Sequence, residues 1–222
     1  MKENLVVITG GSKGLGFELV KLFSKKSKVL VISRTKNIAS SGNVFYECGN
    51  IADEQFVKNV YNKYSKEYKI SYLINNAGCG VFGVPEENTR EKIDRVFESN
   101  LTGLILNTTY ALPLLDENGA KIVNILSTAA LKGNANESLY CASKWGARGF
   151  TESLKVKFKG TKTKVISVCP GGMNTEFWNS NRDYVSVEKS NGWMNPKKVA
   201  EVIFNNITNE DLCVADIVIE RV

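Results

Sequence analysis

The chain has no histidine. Acid–base chemistry near neutral pH must therefore come from other side chains, since histidine is the one group whose unperturbed pKa lies there. Five cysteines, Cys48, Cys79, Cys141, Cys169 and Cys213, are widely spaced and form no C-x-x-C pair. Without histidine or clustered thiols no metal site is expected, and the cysteines read as free thiols in a reducing, cytoplasmic setting. Long apolar runs are missing as well. Stretches such as LVVI at 5–8 are far too short to cross a bilayer, so no membrane partner is expected. The opening residues MKENLVVITGG reach a glycine-rich turn with no apolar h-region before it, and no signal peptide is expected. No internal repeat, low-complexity tract or linker interrupts the 222 residues, which suits a single domain over 1–222.

What is present begins with a formal charge of +6 and 43% hydrophobic residues, an ordinary globular composition. The densest basic run is KVKFKGTKTK at 155–164. No aromatic stacking pattern or base-reading motif accompanies it, so a solvated helix end is expected in preference to a nucleic-acid surface.

Short apolar runs alternate with segments of helical spacing. Strands are expected at LVVIT (5–9), VLVIS (29–33), NVFYEC (43–48), YLIN (72–75), KIVNILS (121–127), KVISVC (164–169) and DIVIE (216–220). Helices are expected after the first strand and at 54–68, 89–115, 138–159 and 196–206, the last with Asn195 as N-cap and Pro196 at its first position. Nearly continuous apolar strands are the mark of burial on both faces, hence an α/β doubly wound sheet, mostly parallel, with helices on each side.

Two features carry chemistry. TGGSKGLG follows the first strand and opens the first helix. Its glycines Gly10, Gly14 and Gly16 allow a tight turn and close approach of the backbone to a pyrophosphate, to which a helix N-terminus presents free N–H groups. Such a turn also serves plain strand–helix connections. In LYCASKWG, Tyr140 and Lys144 would lie one turn apart on one helix face. A tyrosine there is often only a boundary residue. Beside an ammonium, however, its phenol could serve as a neutral-pH acid and base, because a nearby positive charge favours phenolate and lowers its pKa.

These motifs, with NNAG at 75–78, Asn100 in SNLTG, Ser127 after the fifth strand and PGGMNT at 170–175, come in an order that resembles the short-chain dehydrogenase/reductase family over nearly the whole chain. The resemblance implies a Rossmann-type sheet of about seven strands in the order 3-2-1-4-5-6-7. It implies a catalytic tetrad of Asn100, Ser127, Tyr140 and Lys144. Tyr140 would exchange the proton, Ser127 would position the substrate oxygen, Lys144 would reach the nicotinamide ribose, and Asn100 would hold a water of the proton relay. Gly10, Ser12, Lys13, Gly14, Leu15 and Gly16 would shape the cofactor turn. Asn75, Asn76, Ala77 and Gly78 would run along the cofactor and brace the sheet, and Pro170, Gly171, Met173 and Thr175 would lie near the nicotinamide.

The cofactor expected is NADP. No Asp or Glu stands at the end of the second strand, where a ribose-binding acid would favour NAD. Ser33 is there, followed by Arg34 and Thr35. Arg34 could bind a 2′-phosphate, with Lys13 reaching the same group. After the third strand Asn50 holds the place where the family usually has an adenine-binding Asp, next to Ile51, with Asp53 as the other candidate.

A substrate lid is expected at 172–195, where Phe177, Trp178, Tyr184 and Trp193 suit an apolar or aromatic carbonyl compound. Val81 and Phe82 are further substrate candidates. The expected activity is reduction of a small carbonyl compound by NADPH. A 3-oxoacyl-carrier-protein reductase is the alternative, with Lys132 and Arg182 as a basic rim, and a non-catalytic nucleotide-binding sensor or scaffold is an alternative of another class. A homodimer or homotetramer is expected, with Trp145, Phe150 and Leu154 supplying apolar contact.

Overall fold

The computed structural model describes residues 2–36, 42–181 and 192–222. Seven strands form one sheet in the order β3-β2-β1-β4-β5-β6-β7, and every neighbouring pair is parallel. They are β1 (Glu3–Thr9), β2 (Lys28–Ser33), β3 (Val44–Cys48), β4 (Tyr68–Asn75), β5 (Lys121–Ile125), β6 (Lys164–Pro170) and β7 (Asp216–Ile219). Among the described residues the α-helices are α1 (Gly14–Phe23), α2 (Glu54–Tyr64), α3 (Arg90–Phe97), α4 (Gly103–Ala111), α5 (Ser138–Lys157) and α6 (Pro196–Ile207). None of the described helices is long and apolar enough to cross a membrane.

The period-2 geometry of the strands divides the apolar residues between two cores. Val6, Ile8, Val29, Val31, Ile74 and Val123 pack under α1 and α6 with Leu19, Val20, Phe23, Val199 and Ile203. Leu5, Val7, Leu30, Ile32, Leu73 and Ile122 face the other way, against Val57, Val60 and Tyr61 of α2, Ala111 of α4 and Leu154 of α5. Side-chain caps fix several helix starts. Asp53 accepts from the Phe56 N–H at 3.0 Å, Thr89 from Lys92 at 3.3 Å, and Asn195 from Lys197 at 2.9 Å with Pro196 at N1.

Two elements and one residue depart from the sequence expectation. The helix expected over 54–68 stops at Tyr64, and β4 already begins at Tyr68. Tyr68 pairs with Glu3 in the sheet and its ring meets Phe45 and Tyr64, a tertiary cluster that outweighs helical spacing. The helix expected over 89–115 is interrupted by a π turn at Glu98–Thr102. There the Asn100 amide binds Cys79 in both directions, accepting from its N–H at 2.8 Å and donating to its carbonyl at 3.0 Å, and also donates to Ser143 Oγ at 2.9 Å. Such one-turn widenings recur at functional sites. Leu154, expected at a subunit contact, is buried in the core beneath α5, whereas Trp145 stays half exposed.

Across the centre of the sheet runs a buried polar chain. Asn75 and Asn124 face each other in register. Asn75 Nδ2 donates to Asn124 Oδ1 at 2.9 Å and to Thr108 Oγ1 at 3.0 Å, and Asn124 Nδ2 donates to Thr151 Oγ1 at 2.9 Å. The basic run at 155–164 straddles the end of α5 and the start of β6. Lys155 is drawn into ion pairs with Glu152 and Asp216 at 2.9 and 2.8 Å.

Candidate active site

The strand order reverses between β1 and β4, and a cleft of about 1690 Å³ opens there at the carboxyl ends of the strands, the position that open parallel sheets offer to ligands. The turn after β1 forms its floor with Gly10, Ser12, Lys13, Gly14, Leu15 and Gly16. Gly10 has φ +67°, and a Cβ on it would stand 2.7 Å from Ala77 Cα. A Cβ on Gly16 would stand 2.4 Å from the Gly10 carbonyl oxygen. Only glycine fits either place.

Thr9 ties this turn to the loop after β4. Its Oγ1 accepts from the N–H groups of both Asn76 and Ala77 at 3.0 Å, and Asn76 Nδ2 donates to the Thr9 carbonyl at 3.0 Å and to that of Gly10 at 3.2 Å. Helix α1 then starts with no side-chain cap and no acidic residue in its first turn. Its N–H groups and dipole end are free for an anion in the cleft.

At one end of the cleft stand Ser33, Arg34 and Thr35 after β2, and Asn50 and Ile51 after β3. Ser33 Oγ donates to the Thr35 carbonyl at 2.6 Å, and Thr35 Oγ1 donates to Ser12 Oγ at 3.1 Å, so the two loops are joined. Arg34 and Lys13 are exposed. Asp53 is not among the lining residues, because its carboxylate caps α2.

The other end gathers Ser127, Tyr140 and Lys144, with Pro170, Gly171, Met173, Thr175, Phe177 and Trp178 after β6 and Ala77 and Gly78 after β4. Ser127 acts on the Tyr140 hydroxyl, and its Oγ accepts from the Ala129 N–H at 3.1 Å. Lys144 Nζ lies 5.8 Å from the Tyr140 ring centroid and donates to the Ile125 carbonyl at 3.0 Å. Asn100 does not line the cleft. It stands behind Gly78, where a Cβ would be 3.0 Å from Asn100 Oδ1 and 3.7 Å from Lys144 Nζ.

The electrostatics correct one expectation. Burial pushes the Tyr140 hydroxyl well above its ordinary pKa, and the Ser127 hydroxyl pulls it down by less. The expected lowering by Lys144 is not seen in the chain's own field. Burial brings the Lys144 ammonium itself down to about 8, and its hydrogen bond goes to a carbonyl instead of the phenol.

Residues 4–185 match the short chain dehydrogenase family. The chain belongs to that family. Ketoacyl reductase HetN of Nostoc sp. is 32% identical over 92% of this chain and 75% of its own. Carbonyl reductase family member 4 of Danio rerio is 30% identical over 78% of this chain and 77% of its own. The crystal structure of a short-chain dehydrogenase/reductase from Vibrio parahaemolyticus matches with a TM-score of 0.84 at 31% identity, covering 98% of this chain and 100% of that one. As a short-chain dehydrogenase/reductase the protein is an oxidoreductase of CH–OH and C=O groups that binds NAD(P).

Other sequence expectations shift position in this dehydrogenase. Val81 and Phe82 do not line the cleft. They are buried behind it, with the Phe82 ring edge-on to Tyr140 at 5.6 Å and stacked on Trp178 at 5.1 Å, because the chain turns inward after Gly78 to form a small core with Val96 and Ala129. Asn75 is turned into the sheet by its polar chain and braces it without reaching the cleft. In the segment after β6, Met173 bridges Met194, Trp178 Nε1 donates to the Met173 carbonyl at 2.9 Å, and the Trp178 and Trp193 rings meet at 4.4 Å. Tyr184 and Arg182 lie outside the described residues. Lys132 lines the cleft, as do Arg95 of α3 and Glu137, which the sequence reading did not single out. Glu137 stands one turn ahead of Tyr140 on α5, so the helical period already held that signal.

Proposed function

We propose that the protein is an NADP-dependent carbonyl reductase or alcohol dehydrogenase acting on a small carbonyl compound with an apolar or aromatic body. The observation that carries this reading is the convergence of Ser127, Tyr140 and Lys144 at one end of a cleft whose other end holds Arg34, with the uncapped N-terminus of α1 along its floor. The glycine cradle fits a pyrophosphate in shape, and the free N–H groups fit it in charge. Arg34, Lys13 and Ser33, with no acid beside them, suit a 2′-phosphate better than a bare ribose. Asn50 lines the cleft, and its Oδ1, which accepts from the Ala52 N–H at 3.0 Å, keeps a second lone pair that can accept from an adenine amino group.

NADPH, when bound, supplies the hydride. The chain's own groups then act on the proton and the oxygen. Tyr140 is a neutral phenol, and it donates its proton to the oxyanion that forms as the carbonyl is reduced, an alkoxide being far more basic than phenolate. Ser127 lines the same end of the cleft and orients the same oxygen. The buried Lys144 ammonium lines the same end of the cleft, where its role is to meet the ribose hydroxyls of the bound cofactor. Asn100 fixes Cys79 and Ser143 around them. Phe177, Trp178 and Trp193 wall the substrate end and exclude water.

Trp178 and Trp193 both line the cleft, so tryptophan quenching reports binding. NADPH is expected to bind much more tightly than NADH. Tyr140→Phe is expected to bind NADPH as before and to lose turnover. A preference for NADH would overturn the cofactor assignment, and full turnover by the phenylalanine variant would overturn the mechanism.

A further inference from the structure

Glu137 is not absorbed by this scheme. It is the N-cap residue of α5, yet its carboxylate makes no cap hydrogen bond to its own helix, so the usual reason for an acid at a helix start does not apply. It lines the cleft at the substrate end, half-buried, one turn ahead of Tyr140. Asn134 Nδ2 donates to one of its oxygens, Oε2, at 3.0 Å. No Lys or Arg among the described residues pairs with it. Of the cations along the same cleft, Arg90 is paired with Asp94 at 2.7 Å, Lys144 is turned to Ile125, and Lys13, Arg34, Arg95, Lys132 and Arg221 are exposed. Glu176 adds a second, exposed carboxylate at the same end. A half-buried carboxylate with one oxygen uncommitted, beside a wall of aromatic rings, is costly to keep without a cation to meet it, and aromatic faces favour the same charge.

We propose that Glu137 is a specificity-determining residue that selects carbonyl substrates carrying a protonated amine next to an apolar body, with the ammonium on the Glu137 carboxylate while the carbonyl faces Ser127 and Tyr140. The proposal rests on the oxidoreductase reading of this site. The chain's own field supports it. Burial raises the pKa of Glu137, and its charge is one of the causes that raise Tyr140. A substrate cation on Glu137 would relieve both.

The test uses 2-amino-1-phenylethanone and its N-acetyl derivative with NADPH at pH 7, in the wild type and in Glu137→Gln, which keeps the shape and an acceptor for Asn134. The wild type is expected to favour the amine in kcat/KM by at least about tenfold, the size of one charge-assisted hydrogen bond. That ratio is expected to collapse towards one in Glu137→Gln, mainly through KM. No preference in the wild type, or a preference that survives the substitution, would overturn the proposal. A binding arm in the wild type needs no turnover and no variant. Tryptophan quenching by 2-phenylethylammonium should occur at a concentration about tenfold or more below that needed for 2-phenylethanol, and equal affinities would overturn the assignment. If neither ketone is reduced while NADPH binds, the carbonyl-reductase reading falls, and the binding arm still decides the role of Glu137.

Discussion

Replacing Lys144 with methionine should stabilise the protein at neutral pH while removing its activity. The side chain is 4% exposed, and burial lowers its pKa from an ordinary 10.5 to about 8. At pH 7 the folded chain therefore carries a charge it would rather not hold, at a cost of about 3 kcal/mol from the pKa gap. That figure is an upper limit, because the ammonium borders the cleft and water there trims the penalty. Methionine fills the same channel without charge. It gives up the bond to the Ile125 carbonyl, about 1 kcal/mol. The net gain is about 2 kcal/mol at pH 7, or about 4 to 8 °C in Tm for a chain of this size.

The sign with pH follows from the depressed pKa. Between about 8 and 10.5 the unfolded chain holds a proton that the folded chain has released, so wild-type stability rises with pH across that window. By pH 10 the advantage of the variant should fall to about zero. Urea unfolding followed by tryptophan fluorescence at pH 7 and pH 10 measures both points. A variant less stable than wild type at pH 7, or an advantage that does not shrink by pH 10, would refute the account of Lys144 as a strained, functionally retained charge.

Two further outcomes separate structural from binding roles. Asp53→Ala should lower stability by about 1 kcal/mol through loss of the α2 cap and leave NADPH affinity alone. Asn50→Ala should weaken NADPH binding with little change in urea midpoint, and the reverse pattern would exchange the two assignments. Gly16→Ala would set a methyl 2.4 Å from the Gly10 carbonyl oxygen. Displacing that turn should cost about 1 to 3 kcal/mol and abolish NADPH quenching, and calorimetry showing a wild-type Tm with normal binding would refute the close approach.

The inner strands were legible because each is a short apolar run that burial on two faces demands. The cleft was legible because its glycines and its Tyr140–Lys144 pair are local patterns placed by β1 and α5. Features set by distant contacts were not. The π turn at Glu98–Thr102 is held by Asn100 reaching Cys79 and Ser143, and nothing in ESNLT itself interrupts a helix. Val81 and Phe82 follow NNAG closely enough to suggest the pocket, yet the chain turns them behind Tyr140. Asp53 looks as able as Asn50 to meet a base until α2 claims its carboxylate. Tyr140 looks acidified by its neighbour in one dimension, but three-dimensional burial dominates its proton affinity.

The polar chain through Asn75, Asn124, Thr108 and Thr151 has a consequence for how the chain finds this structure. Two strands made only of isoleucine and valine could slide past one another by two residues and bury much the same surface. The facing asparagines forbid that. A slip would strand amide groups in a dry interior at a cost far above the apolar difference between the two alignments. The pair thus works as an indexing key between β4 and β5, next to the point where the sheet reverses its winding. It sets the loop bearing Asn76 and Gly78 at the right height against the Tyr140 helix before any ligand arrives.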